Sequence, residues 1–453
     1  MQCARVPVPL DWQHPAGARI ELSVVRHLAG RPNERIGSLF FNWGGPGVAG
    51  VPKVKEMAAQ LDAIGEGRFD VVSWDPRGTG GSAAVECFSS EKSRTAFWGD
   101  WSIPTTNAQS SAFVPKAAAF VRRCTSRNGD LLAHISTADT VRDLDELRRL
   151  VGDAQLNYRG ISYGTFIGQT YANLFPERVR AMVLDGVLDP VAFTSGTEQS
   201  IAASIADAGV VFDKFQSLCQ NAGPRCALAG RGPVAPRVRD LMARLRHAPI
   251  GKLTYGDALI VLWLRLGTPA EWPALAAALD KADRGDGSAL ESTARDAKGF
   301  LFGALDSAVA LQCADKQFPP SPGPQAWPGV IGRLSDESFI SGPVNGWLLW
   351  APCASWPTRS ANRYTGPWNA STQHPILVIG TRFDPNTAYA AAVAAASRLG
   401  NAVLLTHDGY GHTSDADPST CVERATAKYL VDLVTPPAGT VCPSNRLPFE
   451  PGM

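Results

Sequence analysis

The sequence predicts an α/β fold: a mostly parallel, doubly wound sheet interrupted by a large helical cap insertion. Three observations carry this. Short apolar runs alternate with helix-period segments up to about residue 189. The alternation stops over 190–370, where Ala/Leu-rich helical stretches such as "PALAAALDKAD" take its place. It resumes from 371 and continues through 453. The chain therefore divides into a first part of the sheet domain (1–189), a mainly helical cap (190–370) and a second part of the sheet domain (371–453).

"ARIELSVVRHLA" (Ala18 to Ala29) reads as an extended, half-buried strand. "IGSLFFNW" (Ile36 to Trp43) and "FDVVSWD" (Phe69 to Asp75) are short apolar runs that end at turn residues, as buried strands do. Between them, Val51 to Leu61 has helical periodicity, which makes a strand–helix–strand unit. "DTVRDLDELRRLVG" then predicts a helix with its N-cap at Asp139, apolar positions at Val141, Leu144, Leu147 and Leu150, and a stop at Gly152. "LNYRGIS" follows as a strand, "YGTFIGQTYANLF" as a helix ending before Pro176, and "VRAMVLDGV" as the next buried strand. After the insertion come the strand "PILVIG", the helical "TAYAAAVAAASRLG", the strand "AVLLTH" and a last helix around "VERATAKYLVDLV".

Bulk properties narrow the function. With 45% hydrophobic and 19% charged residues, the composition is that of a globular chain with material for a core. The 43 basic and 42 acidic residues nearly cancel and no Lys/Arg run exists, so a nucleic-acid partner has no electrostatic footprint. No stretch is apolar enough to predict a membrane span. Nine cysteines are widely spaced with no CxxC pair, which suits the disulfides of an exported protein better than a metal site. Four bridges would leave one cysteine over, and Cys3, in what reads as a trimmed start, is the expected odd one. No signal peptide is legible in the chain, and the oligomeric state is left open.

The chemistry centres on "GISYG", Gly160 to Gly164. A chain this rich in Gly and Ser would show about 0.3 such pentapeptides by chance, so context decides. Ser162 follows a predicted strand and precedes a predicted helix, the setting in which a strained turn holds a serine hydroxyl out at the carboxyl edge of a sheet. A nucleophilic serine needs a base, and the base an orienting acid, in the chain order Ser, acid, His. Of the four histidines downstream, His247 falls in the insertion and His374 precedes a strand. His407 ends one, and His412 lies in the loop "DGYGHTS" just past the last strand. His412 is the expected base. Asp384, in the loop "GTRFDPNT" after "ILVIG", is the expected acid; Asp408, Asp415 and Asp417 stand too near His412 in the chain. The oxyanion hole needs two backbone N–H groups. Tyr163, next to the nucleophile, supplies one, and the loop "NWGGPGVAG", with Gly44, Gly45 and Gly47, the other.

Five blocks, "NWGGPGVAG", "SWDPRGTGGS", "YRGISYGTFIGQTYANLFPERVRAMVLDGVLDP", "ILVIGTRFDP" and "GYGHT", occur in an order that resembles the secreted tripeptidyl aminopeptidases of actinobacteria. These are serine exopeptidases of the α/β-hydrolase fold within the prolyl aminopeptidase group. The resemblance spans almost the whole chain. It implies Ser162, Asp384 and His412 as the triad, Gly45 and Tyr163 as oxyanion donors, export, no cofactor or metal, and a peptide or small-molecule substrate. It also implies release of short peptides, tripeptides above all, from free amino ends. Gly44 would line the substrate site, and an acid in the cap would meet the substrate's ammonium. Glu198, Asp207, Glu271, Asp306, Asp315 and Glu337 are the candidates, with Glu198, Glu271 and Asp315 carried forward. Similar capped proteins include esterases and amidases acting on small metabolites, the alternative reading. The chain departs from the family where relatives often carry Thr-Pro after the acid and this one reads Thr387-Ala388.

Overall fold

The computed structural model describes residues 1–99, 101–205, 208–318, 323–357 and 359–450. Among these, nine strands make one sheet: β1 (Gln2–Pro9), β2 (Arg19–His27), β3 (Gly37–Asn42), β4 (Phe69–Trp74), β5 (Leu156–Ile161), β6 (Val179–Asp185), β7 (Ile376–Phe383), β8 (Ala402–Tyr410) and β9 (Val441–Pro443). Their spatial order is β1-β2-β4-β3-β5-β6-β7-β8-β9. The β1–β2 and β2–β4 pairs are antiparallel and all others parallel. Every residue of β3, β4 and β5 is buried, so none of these strands shows the in–out alternation of a half-exposed strand.

Seven helices bear on the site: α1 (Gly50–Ile64), α2 (Thr137–Leu150), α3 (Tyr163–Leu174), α4 (Tyr255–Arg265), α5 (Ser288–Asp315), α6 (Tyr389–Arg398) and α7 (Thr420–Asp432). Alternate strand residues feed the two faces of the sheet. Phe40, Tyr158, Leu184 and Val378 pack with Leu144, Phe166 and Ala392 of α2, α3 and α6. Leu39, Val183, Ile379 and Leu405 meet Val422 and Tyr429 of α7, while Phe41, Val71 and Ile161 meet Val54 and Leu61 of α1. The sheet is thus doubly wound.

Above its carboxyl edge lies the largest apolar cluster, built mainly from helices of the insertion. It also takes in Val85 to Ile135, including Phe113 and Phe120 of the helix Asn107–Asn128. The sequence pattern predicts no helix there. Five of the insertion's tryptophans, Trp272, Trp327, Trp347, Trp350 and Trp356, belong to this cluster as core.

Two boundaries differ from expectation, and two strands are additional. The N-cap of α2 is Ser136, not Asp139: the Ser136 hydroxyl accepts the Asp139 N–H, so Asp139 sits inside the first turn. β8 continues past "AVLLTH" to Tyr410, which places His407 within the strand, fully buried. Two strands, β1 and β9, went unread, β1 because its pattern is mostly exposed and β9 because it is three residues long.

The disulfides are Cys87–Cys124, Cys219–Cys226, Cys313–Cys353 and Cys421–Cys442, and exposed Cys3 is free, as the count of nine predicted. No helix among the described residues is long and apolar enough to cross a membrane.

Candidate active site

Ser162 is the residue between β5 and α3. Its backbone lies at φ 56° and ψ −123°, a region that side-chain-bearing residues rarely occupy. Serine at a helix N-cap ordinarily accepts an N–H of the first turn, but the Ser162 side chain does not. Its hydroxyl is not spent on the helix. The backbone on either side is fixed instead: the Ser162 N–H donates to Asp185 O at 3.0 Å, and the Ser162 carbonyl accepts from Thr165 N and Thr165 Oγ1 at 2.8 and 2.6 Å. The two glycines of the motif are required by contact. A Cβ on Gly160 would stand 2.4 Å from Gly164 O, and one on Gly164 2.5 Å from Asn42 O.

The loop after β3 closes on this turn. Gly44 has φ +77°, and a Cβ there would fall 2.6 Å from Tyr163 N. Asn42 Oδ1 accepts the Gly44 N–H at 2.8 Å and so fixes the loop. The N–H groups of Gly45 and Tyr163 have no hydrogen-bond acceptor among the described residues. Tyr163 opens α3, so the positive end of that helix adds to the donor character of the spot.

Asp384 follows β7 and His412 follows β8 by two residues. His412 Nδ1 lies 3.0 and 3.1 Å from the two oxygens of Asp384. The carboxylate is fully buried and also accepts Asn386 N, Thr387 N, Thr387 Oγ1 and Thr413 N at 2.7–3.1 Å. Burial by itself would raise the Asp384 pKa, but His412 and Thr387 outweigh it and hold the group below its ordinary value. For His412 burial favours the neutral ring, yet Asp384 prevails and raises its pKa above the usual imidazole value. The imidazole keeps 22% of its side-chain surface exposed, unlike its partner.

Two contacts that the sequence did not reveal bind these parts together. Asp185, at the end of β6, takes the Ser162 N–H on its carbonyl and the Ser414 N–H and hydroxyl on its carboxylate, at 3.2 and 2.5 Å. It joins the serine turn to the histidine loop. Its carboxyl is raised to about 6 by burial, with Asp415 nearby adding to the shift and Arg159 opposing it. The second contact comes from the cap: the His412 N–H donates to Gly267 O, at the end of α4, at 2.8 Å. His407, the rejected alternative base, bonds through Nδ1 to Thr381 Oγ1 inside the sheet.

The expected substrate-binding acids are placed differently. Glu198 is half-buried and held in a two-pronged pair by Arg333 at 2.5 and 2.7 Å. Glu271 pairs with Arg265 at the C-terminal end of α4. Asp306 is buried against Arg94 and Cys87 N, and Glu337 is exposed. Asp315 is buried, with its carboxylate on Thr137. None of them bonds to Ser162, Asp384 or His412 among the described residues, and Asp207 lies outside those residues.

Residues 38–209 match the family described as alpha/beta hydrolase fold, and residues 342–442 match the family described as TAP-like protein. Over 472 residues the chain is 31% identical to the serine protease Hip1 of Mycobacterium tuberculosis, covering 97% of this chain and 87% of that protein. It is 29% identical over 467 residues to a tripeptidyl aminopeptidase of Streptomyces coelicolor, with coverage of 99% and 84%. It is 32% identical over 468 residues to carboxylesterase B of Mycobacterium tuberculosis, with coverage of 97% and 86%.

Proposed function

Since the chain belongs to the tripeptidyl-aminopeptidase-like serine hydrolases of the α/β-hydrolase family, we propose that it is an exopeptidase that releases short peptides, tripeptides among them, from free amino ends. Ser162 is the nucleophile, His412 the base and Asp384 the acid that orients it. Nδ1 of the imidazole is committed to Asp384, which leaves Nε2 to take the proton as Ser162 Oγ attacks the scissile carbonyl. The N–H groups of Gly45 and Tyr163 stabilise the oxyanion. His412 then returns the proton to the departing amine, and water, activated by the same imidazole, opens the acyl-enzyme. The supporting observation is Ser162 itself, held at positive φ at a helix start with a hydroxyl that caps nothing.

A second reading, an esterase or amidase acting on a small metabolite, draws on the carboxylesterase B relative, which is as similar to the chain as the peptidases are. Tripeptidyl anilides with free and with acetylated amino ends, assayed beside short acyl esters, separate the two. Preference for the free amine by specificity constant supports the exopeptidase; equal cleavage of blocked substrates, or esters alone, supports the other. A fluorophosphonate probe should label the protein and fail on Ser162→Ala, with turnover falling about 10⁶-fold. The four disulfides accord with an exported protein.

A further inference from the structure

Tyr163 has two ends. Its backbone N–H faces the place proposed above for the oxyanion, while its side chain runs the other way into a closed socket and is only 3% exposed. The phenol hydroxyl meets Thr137 Oγ1, in the first turn of α2. The Thr137 hydroxyl in turn reaches Asp315 Oδ2 at 2.6 Å, and the Thr137 N–H reaches both carboxylate oxygens at 3.0 and 3.2 Å. At pH 8, where the variants below are assayed, Asp315 is ionised and its carboxylate only accepts, so Thr137 spends its one hydroxyl proton on Asp315. Its oxygen is then the acceptor for the Tyr163 O–H. The chain of bonds has one direction, from Tyr163 through Thr137 to Asp315.

Asp315 is the last residue of α5, the long helix of the cap. The next residue reaches the same tyrosine through Phe193. Lys316 is buried, donates to Ser195 O at 2.9 Å and lies 5.5 Å over the ring of Phe193. Phe193 packs against Tyr163 and Phe166, with ring centroids 5.8 and 4.6 Å apart. Cys313–Cys353 fixes the last turn of α5 just before this pair.

We infer that Asp315 is a positioning residue for the oxyanion hole: through Thr137 and the Tyr163 side chain it sets the orientation of the Tyr163 N–H, with Lys316 and Phe193 as the buttress. The cap therefore completes the catalytic machinery as well as covering it. This inference rests on the serine-hydrolase reading above. It assigns Asp315 a role different from contact with the substrate's ammonium.

The test is a set of near-isosteric variants, Tyr163→Phe, Thr137→Val and Asp315→Asn, assayed at pH 8 on a small acyl ester and with a fluorophosphonate. Each should lower kcat between about 10- and 100-fold, because a misplaced donor is felt in the transition state, and leave KM within about twofold. The double variant Tyr163→Phe/Asp315→Asn should lose no more than its worse single parent, since both cut one chain of bonds. If Asp315→Asn does not fold, the other two carry the test, with their own double variant as the cycle. Retention of kcat within about twofold by both Tyr163→Phe and Thr137→Val overturns the inference, as do losses that multiply in the double variant. Wild-type protein in which the probe leaves Ser162 unlabelled overturns the reaction itself, a result distinct from either.

Discussion

Asp384 and His412 form a pair whose titration is set by mutual attraction in a buried place, and that has a measurable consequence. Asp384→Asn removes the charge that keeps the His412 pKa raised against its burial. The acid limb of kcat/KM should move to lower pH, because the imidazole then loses its proton more easily. Turnover should fall about 10⁴-fold, because the wrong tautomer faces the serine. Asp315 and Lys316 titrate in opposite senses. Burial pushes the Asp315 carboxyl up to about 7, with Thr137 opposing, Asp139 adding and Arg363 opposing. Burial alone brings Lys316 down to about 7. A carboxyl raised on folding contributes stability that is fully present below its unfolded value near 3.8 and lost as pH rises to about 7. An ammonium lowered on folding contributes stability present above 10.5 and lost as pH falls to about 7. The two contributions leave a shallow dip in stability near neutrality. Urea midpoints against pH should show it, with Asp315→Asn flattening the acid side and Lys316→Met the alkaline side. The candidate triad was readable at this scale, because its members follow strand ends in a fixed order. Asp185 and Thr137 were not, since each acts through a contact between segments far apart in the chain.

At the scale of elements, the turn between β5 and α3 and the loop after β3 act as one piece. Gly164→Ala makes this testable. Its Cβ would lie 2.5 Å from Asn42 O and 2.9 Å from Asn42 Oδ1, the same atom that fixes the Gly44 N–H. The displacement passes straight into the glycine loop, so we expect a loss of about 1–3 kcal/mol in a urea titration together with a fall in kcat of more than about tenfold. Strands β3 to β7 were legible because each is a largely buried run bounded by turn residues, and α3 because it ends ahead of Pro176. The start of α2 was missed by three residues although "STAD" offers the pattern: a serine three positions before an acid. The helix Asn107–Asn128 escaped notice because its apolar face meets other helices of the cap cluster rather than the sheet.

At the scale of the whole molecule, the sheet domain and the cap are joined at the functional centre as well as around it. Gly267 holds the histidine loop, Ser307 Oγ donates to Gly78 O at 2.7 Å, Asp306 accepts the Cys87 N–H at 2.8 Å, and Asp315 holds Thr137. None of this was visible in the sequence, where the insertion showed only composition. Cys313–Cys353, with a separation of 40 residues, fixes the end of α5. Replacing both cysteines by serine should cost about 4 kcal/mol from loop entropy, read by thermal or urea unfolding. It should also lower kcat at temperatures where the protein is still folded.

The 28-residue helix α5 is a rod about 42 Å long. Its hydrogen bonds to described residues of the sheet domain lie in its last third, at Asp306, Ser307 and Asp315, while nearer its middle Phe302 stacks on Trp98 with ring centroids 5.0 Å apart. Measured from Ala308, the long arm toward Ser288 is about 30 Å and the short arm to Asp315 about 10 Å. Midway along the long arm, about 15 Å from Ala308, the Lys298 ammonium bonds Asp257 of α4 at 2.9 Å. One continuous strut therefore spans from the cap's outer packing to the carboxylate that holds Thr137.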